Sequence, residues 1–247
     1  MRSKKTNIWK TLISIPLCLL MSIFDLISEK DNYNIVDLFA HKVFGRMSFD
    51  NESTFILTMQ NLIFVVVCNI LFSEILAKHF RTGSVYVFSR IHSRSKWYTC
   101  KVIELLFYTT MFSTLYLLST ILICCYRSTA TIQANQVIML LLIFLFAGLF
   151  CGSTTLLVNL LTIKFGTTVS FLVVQLTVLT FIFLAMSTSH IPIAILLNPV
   201  SCLNILDTTY NTSGILITNT VFLCIIFLAG LRYINNYDIY LFDAEAS

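Results

Sequence analysis

The residues whose types and spacing most invite a chemical reading are Arg90, Ser93, Arg94, Trp97 and Lys101, in the run FRTGSVYVFSRIHSRSKWYTCK. Arg90 and Arg94 are four apart and Trp97 lies seven beyond Arg90, so one helical face carries all three. Two guanidiniums and an indole on one face suit two uses. They can hold a helix at a membrane surface, with the ring at headgroup level and the cations in the anionic layer. They can also dock on a second protein, pairing with its carboxylates and filling a pocket with the ring. Gly83 interrupts the preceding helical pattern, which resumes at Val85, so the spacing predicts a short amphipathic surface helix with Trp97 and Tyr98 at headgroup level. Composition alone favours the anchoring use.

Catalytic sets are missing from the rest of the chain. No G-x-x-x-x-G-K-[ST] loop is present to cradle ATP phosphates, and no H-E-x-x-H or G-x-S-x-G motif occurs. His41, His79, His92 and His190 are scattered, and none of the eight cysteines forms a Cys-x-x-Cys pair. The chain is therefore not expected to be an enzyme, nor to hold a cofactor, a metal or a nucleic acid. Glu74 and Glu104 fall near the ends of apolar runs, where they are expected to pair with Arg90, Arg94 or Lys101. Gly148 and Gly152 form a G-x-x-x-G step, which puts both on one helix face and predicts close helix packing. Asn69, Thr155, Asn159 and Gln175 sit in mid-run, where such side chains hydrogen-bond between helices for roughly 0.6–2 kcal/mol each.

The elements that position these residues follow from composition. The 247 residues are 57% hydrophobic and 11% charged, against about 25% charged in soluble domains. Runs of about 20 apolar residues span roughly 30 Å of hydrocarbon. Six such runs occur, at Ile8–Leu26, Thr54–Leu76, Val102–Cys125, Val137–Leu161, Thr167–Ala185 and Ile215–Leu231. The expected class is all-α: a polytopic membrane protein of one domain over 1–247. The first run is read as a retained span rather than a signal peptide, because it contains Pro16 and is followed by Asp25 and Glu29 instead of a small-x-small cleavage site.

Orientation follows the distribution of Lys and Arg. The net charge of +4 is concentrated in two clusters, Arg2 to Lys10 and Lys78 to Lys101. Lys164 follows the fourth run and Arg232 the sixth. Both termini are therefore expected on the cytoplasmic side of a plasma membrane. Ile35, Val36, Phe39, Val43 and Phe44 predict a short helix in the first outer loop. The loop from Ser187 to Ser213 has an apolar middle ending at Asn198-Pro199, which can enter the membrane only where protein buries its backbone.

The run Arg90-x-x-Ser93-Arg94-x-x-Trp97-x-x-x-Lys101 resembles the stretch between the second and third spans of small ABC transporter permeases of the type-2 exporter class. In particular it looks like the stand-alone permeases of bacterial antimicrobial-peptide export and immunity. Six spans, inside termini, a short outer helix after the first span and Asn198-Pro199 before the last are shared. The resemblance implies that the loop carries a coupling helix seated in a cleft of a separate cytoplasmic ATP-binding subunit. Arg90, Ser93, Arg94, Trp97 and Lys101 would then be the coupling residues, and a second permease, identical or related, would complete the transporter. The cargo implied is hydrophobic or amphipathic. Two other readings are a non-transporting immunity protein that binds a toxin or lipid, and an intramembrane enzyme using a mid-span polar residue such as Asn159.

Overall fold

A computed structural model describes residues 2–27, 52–78, 93–127, 134–187, 197–200 and 212–236. The elements among them are helices: α1 (Arg2–Ile27), α2 (Glu52–Phe72), α3 (Arg94–Arg127), α4 (Ala134–Phe165), α5 (Thr167–Ser187) and α6 (Thr212–Asn235). Among the described residues four helices, α3 to α6, are long and apolar enough to cross a membrane. Among the residues whose side chains are described, α1 and α2 contribute the apolar stretches Trp9–Ile23 and Leu62–Phe72. The expected outer helix over Ile35–Phe44 lies outside the described residues, as does most of the loop before α6.

The molecule has an apolar exterior and a partly polar interior. Leu20, Phe107, Leu122 and Leu228 are more than half exposed, while Asn69, Ser153, Thr155 and Asn159 are 0% exposed. Apolar side chains left outward suit a hydrocarbon solvent. The inward polar groups suit it too, because in that solvent a hydroxyl or amide has only protein to bond.

Helix α4 is the centre. It packs against α2, α3, α5 and α6, while α1 lies mainly along α3. Small residues set the close approaches. A Cβ on Gly152 would come within 2.7 Å of Leu106 Cδ2, and one on Gly148 would lie 3.7 Å from Thr110 Cγ2, so both glycines face α3. On the far side of α3, Ser22 of α1 sits 2.7 Å from Ser119 Oγ and 3.0 Å from Thr120 Oγ1. Between α2 and α3 the contact is aromatic: Phe64 lies 4.8 Å from Tyr116 and 5.3 Å from Phe112, centroid to centroid. Offset ring pairs of this kind add about 0.5–1.5 kcal/mol beyond their buried area.

A single residue, Gly166, joins α4 to α5. Its φ of 82° lies in the left-handed region, which an L side chain enters at a cost. Its N–H donates to the Thr162 carbonyl, and its own carbonyl accepts from the Ser170 N–H and hydroxyl. The turn folds α5 back along α4. Phe150, Thr154 and Leu157 of α4 share one small apolar cavity with Phe181, Val178 and Val174 of α5. The one-residue turn and the contact along the two helices make them an antiparallel pair.

Helix limits differ from the expected spans in one consequential place. The third helix starts at Arg94, not Val102, and runs unbroken for 34 residues. Ser93, Arg94, Trp97 and Lys101 are therefore not on a surface helix separated from the span; in the described part they cap and form its first turns. The physical reason is burial: Tyr98, Val102 and Leu105 recur at helical spacing and are all buried, so one face of the helix stays in the core from its first turn. The part of the expected surface helix before Ser93 lies outside the described residues.

Candidate functional site

The N-terminal end of α3 is built by a cap and a wedge. Ser93 is the N-cap: its Oγ accepts from the Lys96 N–H at 3.3 Å and its carbonyl from the Trp97 N–H at 3.2 Å. A serine cap satisfies a terminal donor that the helix leaves free. Arg94 is half-buried, and Trp97 is partly buried against the core. Lys101 pairs with Glu104, one turn on in the same helix, at 2.6 Å, a partly exposed contact of a kind worth under about 1 kcal/mol. Glu74 instead lies within electrostatic range of Lys10 of α1, which Lys78 also reaches. Arg90 lies outside the described residues.

Tyr98, expected at headgroup level, turns into the protein. It is fully buried, and its ring stacks on Phe227 of α6 with centroids 5.4 Å apart. Its hydroxyl enters a notch made by the absence of a side chain at Gly230, where an added Cβ would be 2.2 Å from the oxygen and 2.8 Å from both Leu160 methyls. Ser95 adds a second tie to α6, donating to Asn235 Oδ1 at 2.9 Å. The start of α3 is thereby held to α4 and α6 together. Sequence spacing places Tyr98 beside Trp97, but only packing shows that it faces inward.

The Tyr98 hydroxyl has no hydrogen-bond partner in this notch. A buried hydroxyl without a partner costs about 1–3 kcal/mol. Tyr98→Phe is therefore expected to stabilise the protein by about 1 kcal/mol, read as a higher denaturant midpoint for the full chain in detergent micelles. A lower midpoint would mean that the hydroxyl is satisfied.

A second polar construction joins α2 to α4. Helix α2 ends its regular course at Phe72, passes through a turn over Ser73–Leu76 and resumes at Ala77–Lys78. In an unbroken helix the Leu76 N–H would donate to the Phe72 carbonyl. Here the Asn159 carboxamide stands between them. Its Oδ1 accepts from Leu76 N–H at 2.9 Å, and its Nδ2 donates to the Phe72 carbonyl at 2.8 Å. The second Nδ2 proton goes to the Thr155 carbonyl of its own helix at 2.9 Å. One turn earlier, Thr155 Oγ1 donates to Asn69 Oδ1 at 2.8 Å, with Thr154 Oγ1 at 3.4 Å. The sequence marks Asn69, Thr155 and Asn159 as interhelical donors and acceptors; the Asn69–Thr155 bond is of that kind. That Asn159 serves backbone groups, not another side chain, is decided by the break in α2.

A third feature is the short piece 197–200. Asn198 is 3% exposed; its Nδ2 donates to the Phe181 carbonyl at 2.7 Å, and its Oδ1 accepts from the Val200 N–H at 3.0 Å. Phe181 lies six residues before the end of α5 at Ser187, about 9 Å along the axis. The Asn198-Pro199 step thus dips below the end of α5 and is lined by protein, with Pro199 against the cavity that Phe150 and Phe222 share. This is the condition for irregular backbone at such a depth.

Compared with family models, with characterised proteins and with solved structures, the chain matches none of them.

Proposed function

We propose that the chain is the six-span membrane subunit of an ATP-driven exporter. Its motor is a separate cytoplasmic ATP-binding subunit, and its cargo is hydrophobic or amphipathic. The observation that supports this reading best is mechanical. The basic and aromatic residues Arg94, Trp97 and Lys101 stand on the first turns of one 34-residue helix. That end is pinned to α4 and α6 through Tyr98, Leu160 and Gly230. A force applied at Arg94 is not absorbed in a loop. It travels along a rigid rod and, through the wedge, into the central helix.

In this reading the inner basic loop, with Arg90 before the cap and Arg94 after it, seats in a cleft of the ATPase. ATP binding closes the ATPase dimer and displaces the start of α3 in each of two permease copies. ATP is cleaved wholly on the partner, since this chain lacks a phosphate-cradling loop. In this reading the chain lies in a plasma membrane with both termini cytoplasmic, a placement that the apolar exterior and the basic clusters support.

The test is reconstitution with a P-loop ATPase that has no membrane spans, sought in the gene next to this one. The two should co-purify, and the permease should change the ATPase rate in liposomes. Arg90→Glu with Arg94→Glu should abolish both, because a guanidinium-for-carboxylate exchange repels the acidic partner surface. A chain that confers resistance to a toxin in cells lacking any such ATPase, and with both arginines reversed, would establish the binding-only reading instead.

A further inference from the structure

The break in α2 has an alternative that leaves no backbone group unpaired. The Leu76 N–H and the Phe72 carbonyl, which Asn159 separates, are each other's ordinary helical partners. If the carboxamide withdraws, the two can bond directly and α2 runs straight through to Lys78. An apolar surround penalises any state with a free N–H or C=O, and neither the inserted nor the withdrawn arrangement has one at this step.

The withdrawn carboxamide also has somewhere to go. Its Nδ2 keeps the Thr155 carbonyl, a bond within α4, while Oδ1 loses the Leu76 N–H and the other Nδ2 proton loses the Phe72 carbonyl. Asn69 Nδ2 is a buried donor with no acceptor, on a residue 0% exposed. Helices α2 and α4 run parallel along this seam: Asn69 meets Thr155, and Phe72 to Leu76 meet Asn159 one turn further on. Helical side chains lean toward the N-terminus, so Asn159 swings in the direction of Thr155 and Asn69. The unmet donor in one arrangement is the partner that the other arrangement requires.

From this we infer that Asn159 is a two-position clasp. Inserted, it holds α2 broken below Phe72; withdrawn onto Asn69 Nδ2, it releases α2 as a continuous helix. The switching element is the inner end of α2, Ser73–Lys78, which turns and shifts against α4. Two packed arrangements that pair the Phe72 and Leu76 backbone groups equally and leave the same number of side-chain N–H groups unmet make a bistable element rather than a soft one. The inference stands on the α2–α4 geometry and does not require an ATPase or a cargo.

The experiment is fluorine NMR of the full chain in lipid nanodiscs, with 4-fluorophenylalanine at Phe72. That ring is 1% exposed and lies 5.9 Å from Tyr108 and 6.3 Å from Phe112, so straightening α2 alters its ring-current surroundings. The wild-type chain should give two resonances, or one averaged resonance between two limits. Asn159→Leu cannot insert and should drive the signal to the straight limit. Asn69→Leu removes the waiting donor and should drive it to the opposite, broken limit. Displacements of opposite sign in the two variants support the clasp, and Asn69→Leu tests it alone should Asn159→Leu fail to fold. A single wild-type resonance that Asn69→Leu leaves in place, or that both variants shift the same way, would overturn it.

Discussion

Gly230→Ala is expected to lower stability by about 3 kcal/mol, the largest loss from any one-carbon change in the described bundle. The added Cβ would stand 2.2 Å from the Tyr98 hydroxyl and 2.8 Å from both Leu160 methyl carbons. Leu160 can turn, but the Tyr98 ring cannot retreat, because it is stacked on Phe227 and fully buried. The start of α3 must then move away from α6. Tyr98→Phe in the same chain removes the nearest atom and should recover about 1–2 kcal/mol, the size of a direct contact in a double-mutant cycle. The check is the set of four denaturant midpoints: wild type, each single variant and the pair. Additive effects would mean that the two residues do not touch. Under the proposed function the same change should uncouple ATP turnover from transport while leaving the ATPase bound, since the docking residues are intact and only the rod's attachment is loosened.

The second large effect is expected at the hairpin. Gly166→Val should cost about 2–3 kcal/mol, because a left-handed φ costs an L residue roughly 1–2 kcal/mol and a β-branched one more. Gly166→Asn should cost less, since asparagine tolerates this region best among side-chain-bearing residues. The ranking Gly, Asn, Ala, Val follows the cost of this backbone conformation. The measurement is the unfolding midpoint of the three variants in one detergent. Equal losses for Asn and Val would show that the φ of 82° is not what the position demands. The consequence of failure is large because this one residue sets the register in which Phe150 and Thr154 meet Phe181 and Val178.

What the sequence by itself determined is the class and the inventory. Charge scarcity and the apolar runs announce helices in an apolar solvent, and α3 to α6 appear where the last four runs lie. Period and composition suffice there because a spanning helix satisfies its own backbone and needs no partner to be recognised. The same logic marks Asn69, Thr155 and Asn159, which as polar residues in apolar runs must find partners, and the small Gly148–Gly152 step, which faces α3. That Ser93 caps α3 was not legible, since a cap is defined by where the next helix begins.

Tertiary structure decided everything that depends on which face points where. Trp97 and Tyr98 are adjacent and chemically alike, yet one lies partly exposed at the rim and the other is buried against Gly230, 132 positions away. A glycine's meaning there is an absence filled by a residue from another helix, and no local pattern records it. Likewise the helix break after Phe72 contains neither proline nor glycine. It exists because Asn159, from a helix 83 residues on, takes the Leu76 N–H. Local propensity cannot foretell a break whose cause is a hydrogen bond between distant parts of the chain. For that reason the spans could be read from the residues in order, while the wedge and the clasp could be read only from the packed bundle.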